Sequence, residues 1–139
     1  MTGLTCFVAI LGGASAGAPE GTWLSEDGGT KVLISNCGGN KLCGKVVWLE
    51  APNDPKTGKP KTDALNPDPA KRTRPMLGLQ VVNGLAPSGE NRWSGEIYNA
   101  DDGKTYSAHM TVPDTSPSAQ VKGCVLGILC KSQTWKRAN

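Results

Sequence analysis

The sequence predicts an all-β protein: an eight-stranded antiparallel up-and-down barrel with one long rim loop. Three observations favour this fold. Glycine and proline are abundant, with 18 and 10 of the 139 residues, aromatic residues make up only 5%, and short apolar segments alternate with turn signals. This composition suits short strands joined by tight turns better than packed helices. The chain length is typical of one domain, which we expect to span residues 19–139.

The first 18 residues have the features of an export signal. They carry no charged residue and include the apolar run Cys6–Leu11, followed by Ala14-Ser15-Ala16. This small-residue pattern precedes signal-peptidase cleavage, and the apolar run is too short to span a membrane. We therefore expect a signal peptide over 1–18, cut near Ala16 or Ala18, and a periplasmic or secreted bacterial protein. The segment lacks the usual Lys or Arg before its apolar run, which leaves the true start codon open.

The strands are predicted from eight short apolar or alternating segments between Gly and Asp turn signals. In order these are Gly21–Ser25, Thr30–Cys37, Leu42–Leu49, Met76–Asn83, Arg92–Asn99, Lys104–Pro113, Ala119–Leu126 and Leu129–Arg137. Hairpin turns are expected at Asp27-Gly28-Gly29, Gly38-Gly39-Asn40, Asn83-Gly84, Asp101-Asp102-Gly103 and 114–118. Consecutive hairpins make a meander, and closing the meander into a barrel removes its exposed edges.

Alternation within the later segments assigns side chains to the two faces of the sheet. One face is apolar and the other polar. The expected inner set is Trp93, Gly95, Ile97, Tyr106, Ala108, Met110 and Val112, and the expected outer set is Ser94, Glu96, Tyr98, Ser107, His109 and Thr111.

Four cysteines remain after the export signal, in two pairs with five residues between the members of each pair. Each pair encloses turn-forming residues, so its members can face each other across a hairpin at a Cα separation of about 4.5 to 5.5 Å, within disulfide reach. We predict the disulfides Cys37–Cys43 and Cys124–Cys130. A four-cysteine zinc site is the alternative, but zinc ligand pairs usually lie two to four residues apart, and no metal is expected.

The segment Glu50–Pro75 is rich in proline and lysine and has no periodicity. Structureless loops of this length in compact domains are usually functional or mobile. We expect this loop to form a lid or rim over one mouth of the barrel, with a solvated linker as the alternative.

The two ends of the barrel sequence carry matching motifs, Gly21-Thr22-Trp23 and Trp135-Lys136-Arg137. Arg137 can stack on the indole of Trp23 and hydrogen-bond the chain ends, which would close the barrel with a plug. This pairing resembles the lipocalin or calycin arrangement, in which a G-x-W tryptophan plugs one barrel end beneath a basic side chain of the last strand.

The resemblance extends to the DUF2147 family of exported bacterial proteins, whose function is unknown. The matching segments are Gly21-Thr22-Trp23, Leu42-Cys43-Gly44-Lys45-Val46-Val47, Asn66-Pro67-Asp68-Pro69, Arg72-x-Arg74-Pro75-x-x-Gly78-Leu79, Trp93-x-Gly95-x-Ile97-Tyr98, Asp102-Gly103-Lys104-x-Tyr106 and Gln133-Thr134-Trp135-x-Arg137. The resemblance implies a lipocalin-like barrel outside the cytoplasm and carries no catalytic residues.

The sequence favours a binding protein over an enzyme. A net charge of +3 is too small to indicate nucleic-acid binding, and the chain has one histidine, His109, in no nucleophile or metal motif. We expect a small apolar or amphipathic ligand in the barrel, no cofactor and no membrane span. The alternatives are a structural or partner-binding protein with a filled barrel, and an envelope enzyme. The candidate ligand-binding residues are Trp48, Asp63, Asn66, Arg72, Arg74, Trp93, Tyr98, Tyr106 and His109.

Overall fold

The computed structural model describes residues 18–114, 116–126 and 129–138. The predicted fold is confirmed, because eight antiparallel strands follow one another around a closed barrel in chain order. The strands are β1 (Gly21–Leu24), β2 (Thr30–Gly38), β3 (Lys41–Leu49), β4 (Gln80–Gly89), β5 (Arg92–Asn99), β6 (Lys104–Thr111), β7 (Ser118–Val125) and β8 (Leu129–Arg137). Within those residues the one helical element is a 3-10 turn at Pro69–Lys71.

Two of the sequence predictions fall on residues outside the described ranges. The proposed export signal up to residue 17 is one, and the turn-forming residue expected between Cys124 and Cys130, Gly127, is the other. In the part of the chain that is described, no helix has the length and apolar character needed to cross a membrane.

The meander gives the barrel two distinct ends. The connections after β1, β3, β5 and β7 lie at one end, which we call the mouth end. The connections after β2, β4 and β6 lie at the opposite end, together with the residues that precede β1 and follow β8. We call this second end the closed end.

The predicted hairpin at Asn83-Gly84 is wrong, because β4 continues through both residues to Gly89. Gly84 has a φ of +63° and lies where the register between β4 and β5 shifts. Glycine tolerates this backbone conformation, which lets an extra residue enter the strand as a bulge. The chain turns back after Gly89, where Asn91 adopts a φ of 57°.

The half of the barrel nearest the closed end is filled by its own side chains. Large, fully buried groups occupy it, including Trp23, Ile34, Leu85, Met110 and Val112. The chain also approaches itself closely at Gly44, where an added Cβ would lie 2.9 Å from Cγ1 of Val32 and 3.0 Å from Cβ of Val82.

The structure forms both hairpin disulfides. Cys124 and Cys130 face each other across β7 and β8 with a Cα separation of 4.0 Å. Cys37 and Cys43 are joined at a Cα separation of 5.7 Å. The expectation that Cys37 directly faces Cys43 is wrong, since Cys43 pairs with Ser35 and Cys37 lies at a register shift near the end of β2.

The long connection between β3 and β4, residues 50–79, lies at the mouth end. Backbone hydrogen bonds within this connection, which the sequence did not predict, hold it together. Isolated antiparallel bridges join Asn53 to Pro60 and Thr62 to Pro75. The amide of Gly78 then donates to the carbonyl of Val46 on β3 at 2.8 Å. Backbone hydrogen bonds of this kind give a loop a defined shape without helix or sheet periodicity. We call this connection the mouth loop.

Candidate functional site

The half of the barrel nearest the mouth end encloses a cavity of about 280 Å³. Its walls are largely apolar and come from seven of the eight strands, β2 to β8. The wall residues are Val32, Val46, Val81, Ile97, Tyr106, Val121, Gly123 and Trp135. Pockets for small molecules typically measure about 300 to 1,000 Å³, so this cavity suits a small ligand.

Polar side chains surround the opening of the cavity, and several come from the junction of the first and last strands. Ser25, Glu26 and Asp27 follow β1, while Lys131 and Gln133 lie on β8. Asn99 and Asp101, at the end of β5, complete the polar rim. A ligand in the cavity would therefore meet apolar walls below and hydrogen-bonding or charged groups at the opening.

The barrel wall is incomplete at the junction of β1 and β8 because β1 is short. β1 has four residues and β8 has nine, and the two strands pair only at Trp23 with Arg137 and Leu24 with Lys136. Beyond Leu24 the chain turns, and the Glu26 carboxylate accepts a hydrogen bond from the amide of Thr134 at 2.7 Å. A side chain thus replaces the missing strand along β8.

Five of the predicted ligand-binding residues, four from the mouth loop and one from β5, form hydrogen bonds with one another. The fully buried Asp63 is central. Its carboxylate accepts hydrogen bonds from Tyr98 Oη at 2.6 Å, Asn66 Nδ2 at 2.7 Å and Arg74 Nη2 at 2.8 Å. Arg72 Nε donates to the carbonyl of Asn66 at 2.7 Å. We call these five residues the Asp63 network.

The Asp63 network shifts the ionisation of its members. Desolvation of the buried carboxylate acts to raise its pKa, but the hydrogen bonds from Arg74, Tyr98 and Asn66 outweigh it, so the pKa of Asp63 is lowered. Burial and the hydrogen bond to Asp63 raise the pKa of Tyr98 to about 12. The network therefore holds a charged carboxylate and a neutral phenol, and it ties the mouth loop to β5.

The other four candidates are dispersed around the barrel. Tyr106 lines the cavity and donates from Oη to the Asp102 carboxylate at 2.5 Å, a bond that raises the pKa of the phenol. Trp93 packs against the hydrophobic core. Trp48 is exposed beneath the Lys31 ammonium, 4.8 Å from its ring centroid. His109 Nδ1 lies 2.8 Å from Ser94 Oγ, on the face expected to be outer.

The predicted plug residues are in contact at the closed end. The guanidinium of Arg137 lies 4.2 Å from the ring centroid of Trp23. It donates to the carbonyls of Glu20 and Ala18, while the indole of Trp23 donates to the carbonyl of Pro19 at 2.8 Å. Charge, ring stacking and chain-end hydrogen bonds therefore act together at this end of the barrel.

Sequence reasoning missed most of the cavity lining. Val46, Val81, Val121 and the polar residues at the junction of β1 and β8 were not among the candidates. Period-two alternation along β3 and β7 would have placed Val46 and Val121 inside. No comparable signal marks Glu26 or Lys131, because their position depends on how far β1 extends along β8.

The chain is similar to a bacterial protein family and to a protein of known structure. The model of a bacterial family described as "Uncharacterized protein conserved in bacteria (DUF2147)" matches residues 21–137. Among solved structures, HP1028 from Helicobacter pylori, described as belonging to the lipocalin family, superposes with a TM-score of 0.70. It is 24% identical, and the match covers 86% of this chain and 82% of HP1028. No protein of curated function matches the chain.

Proposed function

The chain belongs to the DUF2147 family and has a lipocalin-like fold, and on this basis we propose that it binds a small amphipathic molecule in the open half of its barrel. The observation that carries the proposal is the cavity of about 280 Å³ with apolar walls and a polar opening. Burial of apolar ligand surface would supply most of the binding free energy, at roughly 25 cal/mol per Å².

The contrast between the two halves of the barrel supports binding over a purely structural role. The half near the closed end is filled by Trp23, Ile34, Leu85 and Met110. The half near the mouth end surrounds open space, although Ile97, Tyr106 and Trp135 line it together with four valines. A barrel that served only as a scaffold would gain stability by filling this space too, because each buried methylene contributes about 0.8 kcal/mol.

Two features of the chain support action outside the cytoplasm. Both disulfides close short hairpin loops, with six residues of sequence separation each. Disulfides persist in oxidising compartments and are rare in the cytosol. Together with the export signal expected over 1–18, they make the periplasm or the extracellular medium the proposed location.

The cavity is best tested by filling it. Val121 lines the cavity and Val112 lies buried in the filled half, so the same change to phenylalanine at the two positions makes a matched pair. Val121→Phe should abolish binding of the neutral fluorescent probe N-phenyl-1-naphthylamine and leave stability almost unchanged. Val112→Phe should retain probe binding and lose about 1 to 3 kcal/mol through overpacking.

Native mass spectrometry of the exported protein supplies the second readout. A small molecule retained by the parent and absent from Val121→Phe would support the proposal. A parent protein that carries no small molecule and also fails to bind the probe would contradict it, and would favour the structural or partner-binding alternative.

A further inference from the structure

The side chains around the cavity opening carry more negative than positive charge. Among the described residues that line the cavity, Glu26, Asp27 and Asp101 are acidic and Lys131 is basic. None of these four side chains takes part in an ion pair within the described part of the chain. A charged group of a ligand at the opening would therefore meet an excess of two negative charges.

Hydrogen bonds fix the carboxylates of two of these acidic residues. Glu26 accepts from the amide of Thr134 at 2.7 Å, and Asp27 accepts from the amide of Gly29 at 2.8 Å. Asp101 is bonded through its backbone amide, and its carboxylate forms no hydrogen bond with another described residue. The opening thus has one carboxylate that can contact a ligand directly and two that act on it through their charge.

Three aromatic rings line the cavity, and they provide a second, independent feature that suits a cation. They belong to Tyr98, Tyr106 and Trp135. The face of an aromatic ring is negative and attracts ammonium groups, and several such rings together bind quaternary ammonium ligands. Both phenols donate their hydrogens to carboxylates, and the indole donates to Gln133 Oε1 at 3.0 Å. The three rings therefore have no hydrogen-bond donor left for an anionic ligand.

Lys131 is the lining residue that would suit an anionic ligand instead. A neighbouring groove between the mouth loop and the end of β5 also reaches Asp101, and it adds Lys59 and Lys61 together with Asp54. The cavity and this groove are lined by four acidic and three basic residues in all. The balance at the opening thus stays negative when the lysines of the groove are included.

We propose that the ligand of the barrel is a cationic amphiphile, with its apolar part in the cavity and its ammonium group at the opening near Asp101. This inference rests on the proposed function and adds the chemical class of the ligand. The apolar walls would bury the chain of such a molecule, while the carboxylates and aromatic rings would stabilise its charge. A single carboxylate about 6 Å from the ammonium group, in water, changes the affinity roughly threefold.

Three ligands with the same octyl chain test the charge preference: octyltrimethylammonium, octyl sulfate and uncharged octanol. Isothermal titration calorimetry at low salt, below the concentrations at which micelles form, measures their affinities for the parent protein. We expect octyltrimethylammonium to bind at least about tenfold more tightly than octyl sulfate, with a smaller difference at high salt. Octanol should lie between the two, because it meets the same walls without a charge.

Two variants change the charge of the opening in opposite directions. Asp101→Asn keeps the shape of the side chain and should weaken octyltrimethylammonium binding about threefold, strengthen octyl sulfate binding about threefold and leave octanol unchanged. Lys131→Gln should have the reverse effects. Glu90→Gln is the control, because it removes a charge from the turn between β4 and β5 at the closed end and should alter none of the three affinities.

The outcomes separate this inference from the proposed function. If none of the three ligands binds and N-phenyl-1-naphthylamine also fails to bind, ligand binding in the cavity is contradicted and the inference falls with it. If octyl sulfate binds as tightly as octyltrimethylammonium, or more tightly, the cationic ligand is overturned while the proposed function stands. Equal affinities of the parent and Asp101→Asn for octyltrimethylammonium would overturn the position given to the ammonium group.

Discussion

Asp63 shows how a single buried charge can determine the shape of a long loop. It is fully buried, and its carboxylate accepts from three side chains that belong to the mouth loop and to β5. A buried charge is tolerated only when it is paired and hydrogen-bonded. The loop therefore has to bring Asn66 and Arg74 to Asp63, and this requirement restricts its conformation as strongly as a secondary structure would.

Asp63→Asn should lower the free energy of unfolding by about 2 to 3 kcal/mol at neutral pH, since it leaves charged and polar partners without their carboxylate. The parent should also lose stability in acid. The pKa of Asp63 is lower in the folded protein than in the unfolded chain. Its contribution is therefore complete above about pH 4 and is lost as the pH falls through the lowered value.

Urea unfolding between pH 7 and pH 2 measures both effects. The free energy of unfolding of Asp63→Asn should fall less steeply with decreasing pH than that of the parent. Some pH dependence should remain in the variant, because the pKa of Asp27 is also lowered. Asp68→Asn is the matched control, because asparagine can retain the bond to the Ala70 amide that caps the 3-10 turn. Equal slopes for the parent and Asp63→Asn would contradict the role given to the network.

At the scale of elements, the turn between β5 and β6 supports the mouth loop from below. Gly103 has a φ of +71°, and a Cβ added there would overlap the carbonyl oxygen of Leu65. Glycine is required at this position for two reasons: the positive φ and the close approach of the mouth loop. Leu65 and its neighbours can reach the barrel only because this side chain is missing.

Gly103→Ala should therefore destabilise the protein more than Gly28→Ala does. Gly28 has a similar φ of +76°, but nothing lies within 4 Å of its added Cβ. The alanine at 28 should cost about 1 kcal/mol from the backbone alone, and the alanine at 103 at least about twice as much. Chemical unfolding measures the free energy of unfolding of both variants, and the difference between them is the energy of the contact between residue 103 and Leu65. Equal losses would show that Leu65 moves aside at no energetic cost.

The elements differ in how well their sequences predict them. β5 has the predicted bounds, because turn residues flank it and Trp93, Gly95 and Ile97 alternate with polar residues. β8 also begins and ends as predicted. β4 was predicted to end at Asn83, yet Gly84 makes a bulge there. Asn-Gly is a strong local signal for a hairpin, but pairing with both β3 and β5 keeps β4 extended. The sequence around Asn83 and Gly84 does not show which strands will pair with β4.

The candidate site was harder to predict than the fold for a related reason. Polar residues in a loop look alike in sequence whether they face a ligand or each other. The hydrogen bonds of Asp63, Arg72 and Arg74 within the Asp63 network could not be read from the sequence, and their contact with a ligand stays a prediction. The cavity arises from what is small or absent, such as the short β1 and the valines along the cavity wall. Composition and alternation do not show where side chains fail to meet.

At the scale of the whole molecule, we propose that the closed end stabilises the barrel and that the mouth end binds the ligand, and variants at the two ends should have different effects. Trp23→Ala should cost about 3 to 5 kcal/mol, because it removes the fully buried ring beneath Arg137. Any Trp23→Ala protein that remains folded should still bind the cavity probe, since Trp23 does not line the cavity.

Trp48→Ala is the control, because this tryptophan is exposed on the barrel and contacts Lys31. Its loss should cost less than about 1 kcal/mol. Urea unfolding gives the free energies, and titration with N-phenyl-1-naphthylamine gives binding. A stable Trp23→Ala protein, or one that is folded but has lost the probe site, would contradict the division between a closed end and a mouth end.

The short β1 also bears on solubility. Above Leu24 the backbone of β8 has a free edge, of the kind that recruits strands from other molecules and leads to aggregation. Glu26 covers this edge by accepting from the Thr134 amide, and it adds a negative charge that an incoming strand would have to bury. Glu26→Ala should therefore self-associate at concentrations where the parent does not, as sedimentation velocity would show. On this view Glu26 is a gatekeeper that allows the barrel to remain open without polymerising.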